Sequence, residues 1–312
     1  MTADSTWLVT GANGFLGVNA GFFLNPLVTP IGAVRSISSS SAFADVISFD
    51  ITDHLATARA LEELRPAVVL NTAAVASHEL CEQDPALARK VNTEAVRNLA
   101  QVCVDIGARF IQISTDAVFD GVTGNYAKTD NATPFSIYGQ TKLEGEVAAL
   151  DVNPDSLIIR TNFFGWSPTG TRSILEFFIN SLSDGKSVNG YSDYVVSSIY
   201  AQDLLQTIWD LNSLNASGIF HCVASDSSSK FDFGQAIARA WALDSELIHA
   251  STSLRDGNGI SRVRDLSLAT GKASRALGRE LPTQAQGLQH AYADRDQLRN
   301  LILRANDSSN SS

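Results

Sequence analysis

The chain has 312 residues, 44% of them hydrophobic, and a formal net charge of −10 at pH 7. This length and apolar content allow one large or two closely joined globular domains and exclude a fibrous or fully disordered chain. The acidic balance argues against a nucleic-acid partner, because negative surface charge repels phosphates. The densest basic run, Arg255 to Arg264, is itself interrupted by Asp256.

Cysteine usage and hydropathy indicate a protein of the cytoplasm. Cys81, Cys103 and Cys222 form neither a CxxC pair nor a Cys/His cluster, which is typical of reduced thiols and predicts no metal site. No basic and apolar leader precedes the first strand-like run at Trp7. No apolar stretch reaches the roughly 20 residues of a membrane helix. We therefore expect neither a secretory signal nor a membrane partner.

Short apolar runs alternate with helical segments in the first half of the chain. The predicted strands are 7–10, 31–34, 46–49, 67–70, 110–113 and 157–159. Helices are predicted from Thr52 or Asp53 to Leu64, and from an Asp84 N-cap to Gly107. Strands that are apolar on both faces and separated by helices predict an α/β fold with a doubly wound parallel sheet of the Rossmann type. Its ligand is expected at the carboxyl ends of the strands.

After about Thr161 the pattern loosens. Helices are predicted at 175–182, 201–211 and 233–241, extended segments at 188–199 and a strand at 218–223. We expect an NADP-binding domain over residues 1–163, with returning elements near 197–223. A smaller, discontinuous α/β substrate lobe is expected mainly over 164–305, followed by a flexible tail at 306–312.

A glycine-rich turn follows the first predicted strand. In this setting the first glycine permits a tight turn, the second lets backbone approach a pyrophosphate, and the third lets the next helix pack on the strand. The turn therefore predicts a dinucleotide cofactor, although a glycine-rich turn without a ligand is the alternative. The predicted contacts are Gly11, Asn13, Gly14, Phe15, Leu16 and Gly17.

The end of the second strand carries Arg35 and Ser36 instead of a carboxylate. A guanidinium beside hydroxyls suits a ribose 2′-phosphate, which predicts NADP, with NADPH preferred over NADH. The alternative is a solvated arginine at a strand end. Further predicted cofactor contacts are Asp50 and Ile51 after the third strand, and Ala73 and Ala74 after the fourth.

Thr115, Tyr138 and Lys142 are the predicted catalytic residues. Tyr138 and Lys142 are four residues apart at the start of a helix and share one face. We expect the ammonium to lower the phenol pKa, so that Tyr138 protonates a carbonyl oxygen as hydride reaches its carbon. Thr115, just beyond the fifth strand, is placed to hold the same oxygen, and Lys142 to reach the nicotinamide ribose. A surface helix pair is the alternative reading of Tyr-x-x-x-Lys.

With these motifs the chain resembles the extended short-chain dehydrogenase/reductases, specifically the dTDP-4-dehydrorhamnose reductase-like group. The carrying segments are Gly11-Ala12-Asn13-Gly14-Phe15-Leu16-Gly17, Asn71-Thr72-Ala73-Ala74, Ile113-Ser114-Thr115-Asp116-Ala117-Val118-Phe119-Asp120-Gly121 and Tyr138-Gly139-Gln140-Thr141-Lys142-Leu143-Glu144-Gly145-Glu146. The resemblance implies a Rossmann fold, NAD(P)H, and reduction of a 4-keto-6-deoxy nucleotide sugar by Thr115, Tyr138 and Lys142. The expected partner is therefore a nucleotide sugar, and a homodimer is left open.

The resemblance also implies roles beyond the triad. Ser114 is expected at the cofactor, and Asn92 matches an asparagine that often supports the catalytic lysine. A helix–strand hydrogen bond is the alternative role of Asn92. The expected substrate contacts are Thr115, Asp116, Asn162 and Phe163.

Two places depart from the family pattern. Ala117 stands where the family string has Tyr, and Asn162 and Phe163 stand where it has Ser and Trp. Both places should border the sugar and the nicotinamide, so the identity of the sugar stays open. Ala117 also disfavours a dehydratase, because it removes the second carboxylate that elimination needs. An epimerase remains an alternative, as does a non-catalytic NADP-binding regulator resembling the β subunit of methionine adenosyltransferase.

Weaker signals lie outside these motifs. His78 and Glu79 are expected as a surface pair of their loop, with substrate contact as the alternative. One or two of Phe163, Phe164 and Trp166 are expected in the core. Candidate diphosphate contacts, with a solvated side chain as the alternative for each, are Arg172, Arg262 and Arg264.

Overall fold

The computed structural model describes residues 6–36, 41–252 and 265–307, so Arg262 and Arg264 lie outside the described residues. Its strands are β1 (Thr6–Thr10), β2 (Thr29–Val34), β3 (Asp45–Ser48), β4 (Val68–Asn71), β5 (Arg109–Thr115), β6 (Leu157–Thr161), β7 (Phe163–Phe164), β8 (Val188–Tyr191), β9 (Val195–Val196), β10 (Ile199–Tyr200), β11 (Gly218–His221), β12 (Ser228–Ser229) and β13 (Ile248–Ser251).

The helices alternate with these strands in the first half of the chain and dominate its end. They are α1 (Phe15–Leu24), α2 (His54–Leu64), α3 (His78–Gln83), α4 (Pro85–Arg89), α5 (Ala95–Ile106), α6 (Ile137–Val152), α7 (Ile174–Ser183), α8 (Ala201–Ser213), α9 (Lys230–Ala240), α10 (Gly271–Leu277), α11 (Gln284–Ala293) and α12 (Leu298–Asp307). Among the described residues, no helix combines the length and the apolar character needed to cross a membrane.

Seven parallel strands form the main sheet, in the order β11-β6-β5-β4-β1-β2-β3. Every neighbouring pair in this sheet is parallel, which confirms the predicted doubly wound fold. The strand order reverses at β1: β2 and β3 follow on one side of it, and β4, β5 and β6 follow on the other. In register, Thr10 of β1 lies opposite Asn71 of β4, and Thr115 of β5 lies opposite Thr161 of β6. The polar residues after these strands therefore collect at one edge.

Alternating side chains of the strands enter two separate cores. Trp7 and Val9 point into a core shared with α1 and α8, whereas Leu8 points into the core shared with α2, α5 and α6. Both faces of the sheet are thus covered, as the uninterrupted apolar strands predict. Burial on this scale supplies the main stabilisation of the fold.

The long helix predicted from Asp84 to Gly107 is present, but it is not α-helical throughout. Asp84 caps its start by accepting from the backbone N–H of Leu87 at 2.9 Å, and Gly107 ends it with φ of +73°. Between α4 and α5, however, residues Lys90–Glu94 form a π-helical turn. A π-turn adds one residue per turn and shifts the side chains on either side, a change that apolar spacing does not reveal.

The second half of the chain builds small sheets and returns to the large one. β8 pairs with β13, β9 with β12, and β10 with β7. β11 joins the edge of the main sheet beside β6. The sequence pattern did not indicate α10, α11 or α12. Because α12 extends to Asp307, the first two residues of the predicted tail are helical, and residues 308–312 lie outside the described chain.

Candidate active site

The glycine turn joins β1 to α1 with very little space around its backbone. Gly11 has φ of +67°, and a Cβ there would lie 2.8 Å from the backbone nitrogen of Ala73. A Cβ on Gly17 would lie 2.2 Å from the carbonyl oxygen of Gly11. Gly14 is the N-cap of α1, with no side chain bonded to the first helical N–H groups. Such a bare helix start after a parallel strand offers donors to a pyrophosphate.

The other predicted cofactor residues lie along the same edge of the sheet. Phe15 is half-buried, and its ring meets the ring of Phe163 edge-on at 5.1 Å between centroids. The contact joins the glycine turn to the segment after β6. Of the remaining positions, Asn13 and Ala74 are exposed, Ile51 and Ala73 are half-buried, and Leu16 is buried.

Arg35 and Ser36 are exposed at the end of β2. Asp50, half-buried after β3, accepts a hydrogen bond from the backbone N–H of Thr52 at 2.9 Å. This bond is the main reason that the pKa of Asp50 is lowered, and the positive charges of Lys90 and Arg35 lower it further. The guanidinium therefore lies at the edge where an adenosine ribose is expected, and it remains open to solvent.

Thr115, Tyr138 and Lys142 come together where β5 ends and α6 begins. Ser136 caps α6 by accepting from the backbone N–H of Gly139 at 3.1 Å, which fixes Tyr138 in the first turn. The Thr115 hydroxyl lies near the Tyr138 phenol and acts to lower its pKa. A Cβ on Gly139 would lie 2.1 Å from the carbonyl oxygen of Ala117, so only glycine lets α6 approach this closely. Ala117 is buried at this contact.

The expected lowering of the phenol pKa is wrong. Burial raises the pKa of Tyr138 to about 12, and the negative charge of Asp116 adds to the rise, while the nearby Thr115 hydroxyl partly opposes it. Lys142 is 4% exposed, and its ammonium donates to the carbonyl of Ile113 at 2.6 Å. Burial also lowers the pKa of Lys142 to about 8, against the charge of Glu146. Desolvation is thus the main cause of both shifts.

Asn92 lies in the π-turn and ties three segments together. Its side-chain oxygen accepts from the backbone N–H of Val75 at 2.9 Å. Its amide donates to the Val75 carbonyl and to the Thr141 hydroxyl, each at 3.1 Å. A Cβ on Gly145 would lie 2.2 Å from the Asn92 carbonyl oxygen. These contacts place Asn92 between the loop after β4 and the helix of the catalytic lysine, and a direct role at the cofactor stays a prediction.

Ser114 is buried, and its hydroxyl donates to the carboxylate of Glu146. The same carboxylate accepts from Arg160 at 2.7 Å, and both charged side chains are almost fully buried. The Arg160 guanidinium lies over the Phe119 ring, 5.1 Å from its centroid. The Ser114 side chain is thus engaged in a buried ionic cluster that locks α6 to β5 and β6.

Asp116 and Asn162 form a second polar cluster beside the triad. Asp116 is 3% exposed and accepts from the Asn162 amide at 2.8 Å and from the Thr115 hydroxyl at 3.1 Å. Burial raises its pKa to about 6, although these hydrogen bonds oppose the rise. The Asn162 oxygen in turn accepts from the Ser198 hydroxyl. Asn162, one of the family departures, therefore fixes the orientation of Asp116.

The aromatic residues after β6 separate into two groups. Phe164 and Trp166 are buried in the core, and the Trp166 indole donates to the Ala291 carbonyl at 3.2 Å. Phe163 is half-buried and faces the glycine turn through Phe15, as described above. Phe163 is therefore the member of the group that the structure brings to the site.

His78 contacts the catalytic tyrosine, and this contact was not expected from the sequence. It begins α3, and its exposed imidazole packs on the Tyr138 ring at 4.7 Å between centroids. Glu79 instead accepts from the Gln83 amide at 3.1 Å. Both side chains are exposed, as expected of a surface pair, but His78 also packs on the catalytic tyrosine. Its place after β4, at the cofactor edge, was the available signal.

A cavity of about 490 Å³ lies between the start of α7, β8 and the start of α9. Arg172 and Lys230 supply positive charge to its wall, and Phe177 and Tyr191 supply rings. The positive charge of Lys230 counteracts the rise in the pKa of Asp116. A volume of this size is ordinary for a small-molecule site.

The RmlD substrate binding domain model matches residues 5–297 of the chain. A probable low-salt glycan biosynthesis reductase, Agl14 of Haloferax volcanii, is 31% identical over 293 residues, covering 92% of this chain and 98% of the relative. The crystal structure of a hypothetical dTDP-4-dehydrorhamnose reductase from Sulfolobus tokodaii is 31% identical, with a TM-score of 0.79 over 89% of this chain and 97% of that one.

A dTDP-4-dehydrorhamnose reductase from Bacillus anthracis, solved in complex with NADP, shares the fold. Its TM-score is 0.82 at 23% identity, over 93% of this chain and 99% of that chain. The family model spans both the glycine turn and the catalytic helix, and the relatives align along nearly their whole length. The chain belongs to the RmlD substrate binding domain family.

Proposed function

We propose that the protein reduces the keto group of a nucleotide-activated deoxysugar, with NADPH as the hydride donor. The observation that carries this proposal is the convergence of Thr115, Tyr138 and Lys142 at the strand edge that also bears the glycine turn. The names of the relatives, a glycan biosynthesis reductase and dTDP-4-dehydrorhamnose reductases, support the same reaction. An epimerase is disfavoured because epimerases favour tightly held NAD⁺, whereas Arg35 suits the 2′-phosphate of NADP.

The residues present fit a dinucleotide. A Cβ at Gly11 or Gly17 would strike backbone, so the turn is held in the tight form that leaves the α1 N–H groups open to a pyrophosphate. Arg35 and Ser36 supply a cation and a hydroxyl for a 2′-phosphate. When bound, NADPH supplies the hydride for the carbonyl carbon.

The protein's own residues bind and protonate the oxygen of the substrate carbonyl. With its pKa near 12, the Tyr138 phenol is protonated at neutral pH and can donate that proton to the oxygen. Thr115 offers a second hydroxyl to the same oxygen. The Lys142 ammonium stands on the same face of α6 and stabilises the tyrosinate that proton donation leaves. The raised phenol pKa therefore suits reduction, in which tyrosine acts as the acid.

The cavity between α7, β8 and α9 is the proposed place of the nucleotide. Arg172 and Lys230 would meet the diphosphate, and Phe177 and Tyr191 the base. Asn162 and Asp116 would border the sugar between this cavity and Tyr138. Buried free cysteines at positions 81, 103 and 222 agree with a reducing compartment, so a cytoplasmic location is part of the proposal.

The direct test follows NADPH absorbance with a panel of keto-sugar nucleotides. The proposed function predicts one NADPH consumed per sugar reduced. Interconversion of sugars without net NADPH consumption would instead show an epimerase. Tight NADPH binding without turnover of any panel member would favour the regulatory alternative.

Replacing Arg35 with Ala should raise the KM for NADPH by about 10- to 100-fold, because charge-assisted hydrogen bonds to the 2′-phosphate are lost. The KM for NADH should change little. The control is Arg59→Ala, which removes another exposed cation from α2. An equal rise in the KM for NADPH and for NADH would show that Arg35 does not bind the 2′-phosphate.

The rate of reduction should fall as the pH rises through about 8, because Lys142 then loses the proton that stabilises the tyrosinate. The pH profile of kcat measures this fall, which forms the alkaline limb of the profile. In Lys142→Arg the guanidinium stays charged, so the limb should move to higher pH even if the maximal rate is lower. An unchanged limb in Lys142→Arg would assign it to another group.

A further inference from the structure

The short helix α3 lies against the start of the catalytic helix α6. Glu82 of α3 accepts a hydrogen bond from the backbone N–H of Ile137 at 2.9 Å. Ile137 is the first residue of α6 and immediately precedes Tyr138. Its N–H is one of the donors that a helix start leaves without an intrahelical partner. The Glu82 carboxylate therefore ties α3 to the turn of α6 that carries the catalytic tyrosine.

His78 and Glu82 share one face of α3, because they are four residues apart in the same helix. This face is turned toward α6. Glu82 bonds to Ile137, and the His78 imidazole packs on the Tyr138 ring with 4.7 Å between centroids and 54° between the ring planes. The distance is within the range of favourable aromatic pairs. One face of α3 thus holds two consecutive residues of α6.

The helix α3 is itself anchored to its surroundings. Ser77 caps its start by accepting from the backbone N–H of Leu80 at 3.2 Å. Cys81 is buried, and its thiol donates to the carbonyl of Val75 at 3.4 Å. The Asn92 side chain bonds to the same carbonyl and to the Val75 N–H. The position of His78 is therefore fixed by contacts on two sides, with α6 and with the π-turn.

The Tyr138 side chain is less enclosed than its catalytic partners. Tyr138 is half-buried, whereas Thr115 and Lys142 are buried. The exposed imidazole of His78 occupies space beside the Tyr138 ring and so limits the directions in which that ring can turn. A general acid must stay within hydrogen-bond reach of the atom that it protonates, and a small displacement lowers the rate.

We infer that His78 is a positioning residue for the reaction: its ring, held in place by the Glu82–Ile137 bond, keeps the Tyr138 phenol directed at the substrate oxygen. This role rests on the proposed function, because Tyr138 is the acid of that reaction. His78 acts through the packing of its ring and does not itself bind the substrate. Loss of the ring therefore slows the chemical step and leaves the binding of NADPH and of the sugar nucleotide unchanged.

Single-turnover oxidation of NADPH tests this role, with the keto-sugar nucleotide of the panel that the parent protein reduces fastest. His78→Ala should slow the chemical step by about tenfold, because the phenol then leaves its productive position more often. The KM values for NADPH and for the sugar nucleotide should change little. His78→Phe keeps a flat ring against Tyr138 and should restore most of the rate.

Two further variants of α3 accompany this test. Glu82→Ala removes the bond to the Ile137 N–H but leaves the imidazole in the chain, and it should slow the same step less than His78→Ala does. The matched control is Leu80→Ala, which removes another exposed side chain of α3, 40% exposed, and should keep the parental rate. Thermal melting of each variant shows that the fold is retained.

A measurement without turnover separates this role from the proposed function. In protein labelled with ¹³C in its tyrosine rings, the NMR signals of Tyr138 are identified by their absence from Tyr138→Phe. They should move in His78→Ala, because the imidazole no longer lies 4.7 Å from the ring, and stay in place in Leu80→Ala. Moved signals in a protein that reduces no panel member would reject the proposed function, and the catalytic role of His78 with it. Unmoved signals in an active protein would reject the role of His78 alone.

Three kinetic results would also overturn the role of His78. One is a parental single-turnover rate in His78→Ala. Another is a loss in His78→Phe as large as that in His78→Ala, which would assign a direct role to the imidazole nitrogens. The third is a higher KM for the sugar nucleotide in His78→Ala without a slower chemical step, which would make His78 a substrate-binding residue.

Discussion

Replacing Tyr138 with Phe is expected to lower kcat for keto-sugar reduction by about 10²- to 10⁴-fold, the usual contribution of a general acid. The variant loses the hydroxyl that lies near Thr115 and that carries the proton for the carbonyl oxygen. It keeps the aromatic ring that packs against His78 at 4.7 Å. The local packing, and with it the position of α6, should therefore survive the substitution.

The measurements are steady-state NADPH oxidation and, separately, NADPH binding by fluorescence titration. Binding should be nearly unchanged, because the glycine turn and Arg35 do not depend on the phenol oxygen. Tyr292→Phe is the matched control, since it removes a hydroxyl from a tyrosine that is 39% exposed, and it should have parental kinetics. A Tyr138→Phe variant with close to full activity would refute the assignment of Tyr138 as the acid.

The fold was predictable because its signals are local. The runs at 67–70 and 157–159 are apolar on both faces, as expected for strands of a parallel sheet that is covered on both sides. Gly11 was predictable for a similar reason, since a strand that turns directly into a helix needs a residue tolerant of φ near +67°. The edge at which the site lies then follows from the parallel sheet.

The electrostatics of the site were not predictable from spacing. The four-residue interval between Tyr138 and Lys142 shows that the side chains share a helix face, but it contains no information about burial. In the structure the ammonium bonds to the Ile113 carbonyl, and desolvation moves the phenol pKa upward. A pKa reflects the whole environment of a group, and that environment comes from segments distant in sequence.

Contacts between distant segments also decided the details around the triad. The π-turn at Lys90–Glu94 rests on the close approach of Gly145 to Asn92, which lies 53 residues earlier in the chain. The packing of His78 on Tyr138 depends on how the loop after β4 folds back. A second cavity, of about 400 Å³, is lined by segments near residues 128, 221 and 272. No local pattern joins these segments, so the sequence did not indicate the second cavity.

Replacing Arg160 with Met is expected to lower the free energy of unfolding by about 3–5 kcal/mol, because it leaves the buried Glu146 carboxylate without its ion-pair partner. The two side chains are 4% and 1% exposed and are joined at 2.7 Å. Ser114 would remain as a hydrogen-bond donor to the carboxylate, but a hydroxyl does not neutralise its charge. The effect should appear in urea unfolding curves as a lower midpoint with an unchanged slope.

The same helix provides a matched control for burial. Glu144 of α6 pairs with Arg89 at 2.9 Å, but these side chains are 33% and 48% exposed. Arg89→Met removes the same kind of Arg–Glu contact in solvent and should change stability very little, because exposed ion pairs are screened by water. A similar loss in both variants would mean that the side-chain volume of arginine, and not the buried charge, decides the result.

The double variant Arg160→Met/Glu146→Met separates the unpaired charge from the lost packing. Removing both charges leaves no carboxylate to desolvate, so the double variant should be more stable than Arg160→Met alone. Its NADPH oxidation should nevertheless be impaired, because the charge of Glu146 raises the pKa of Lys142 and its loss moves that pKa further below 8. The alkaline limb of the rate should then appear at lower pH. The buried pair is thus expected to set the protonation of Lys142, while its net contribution to folding is small.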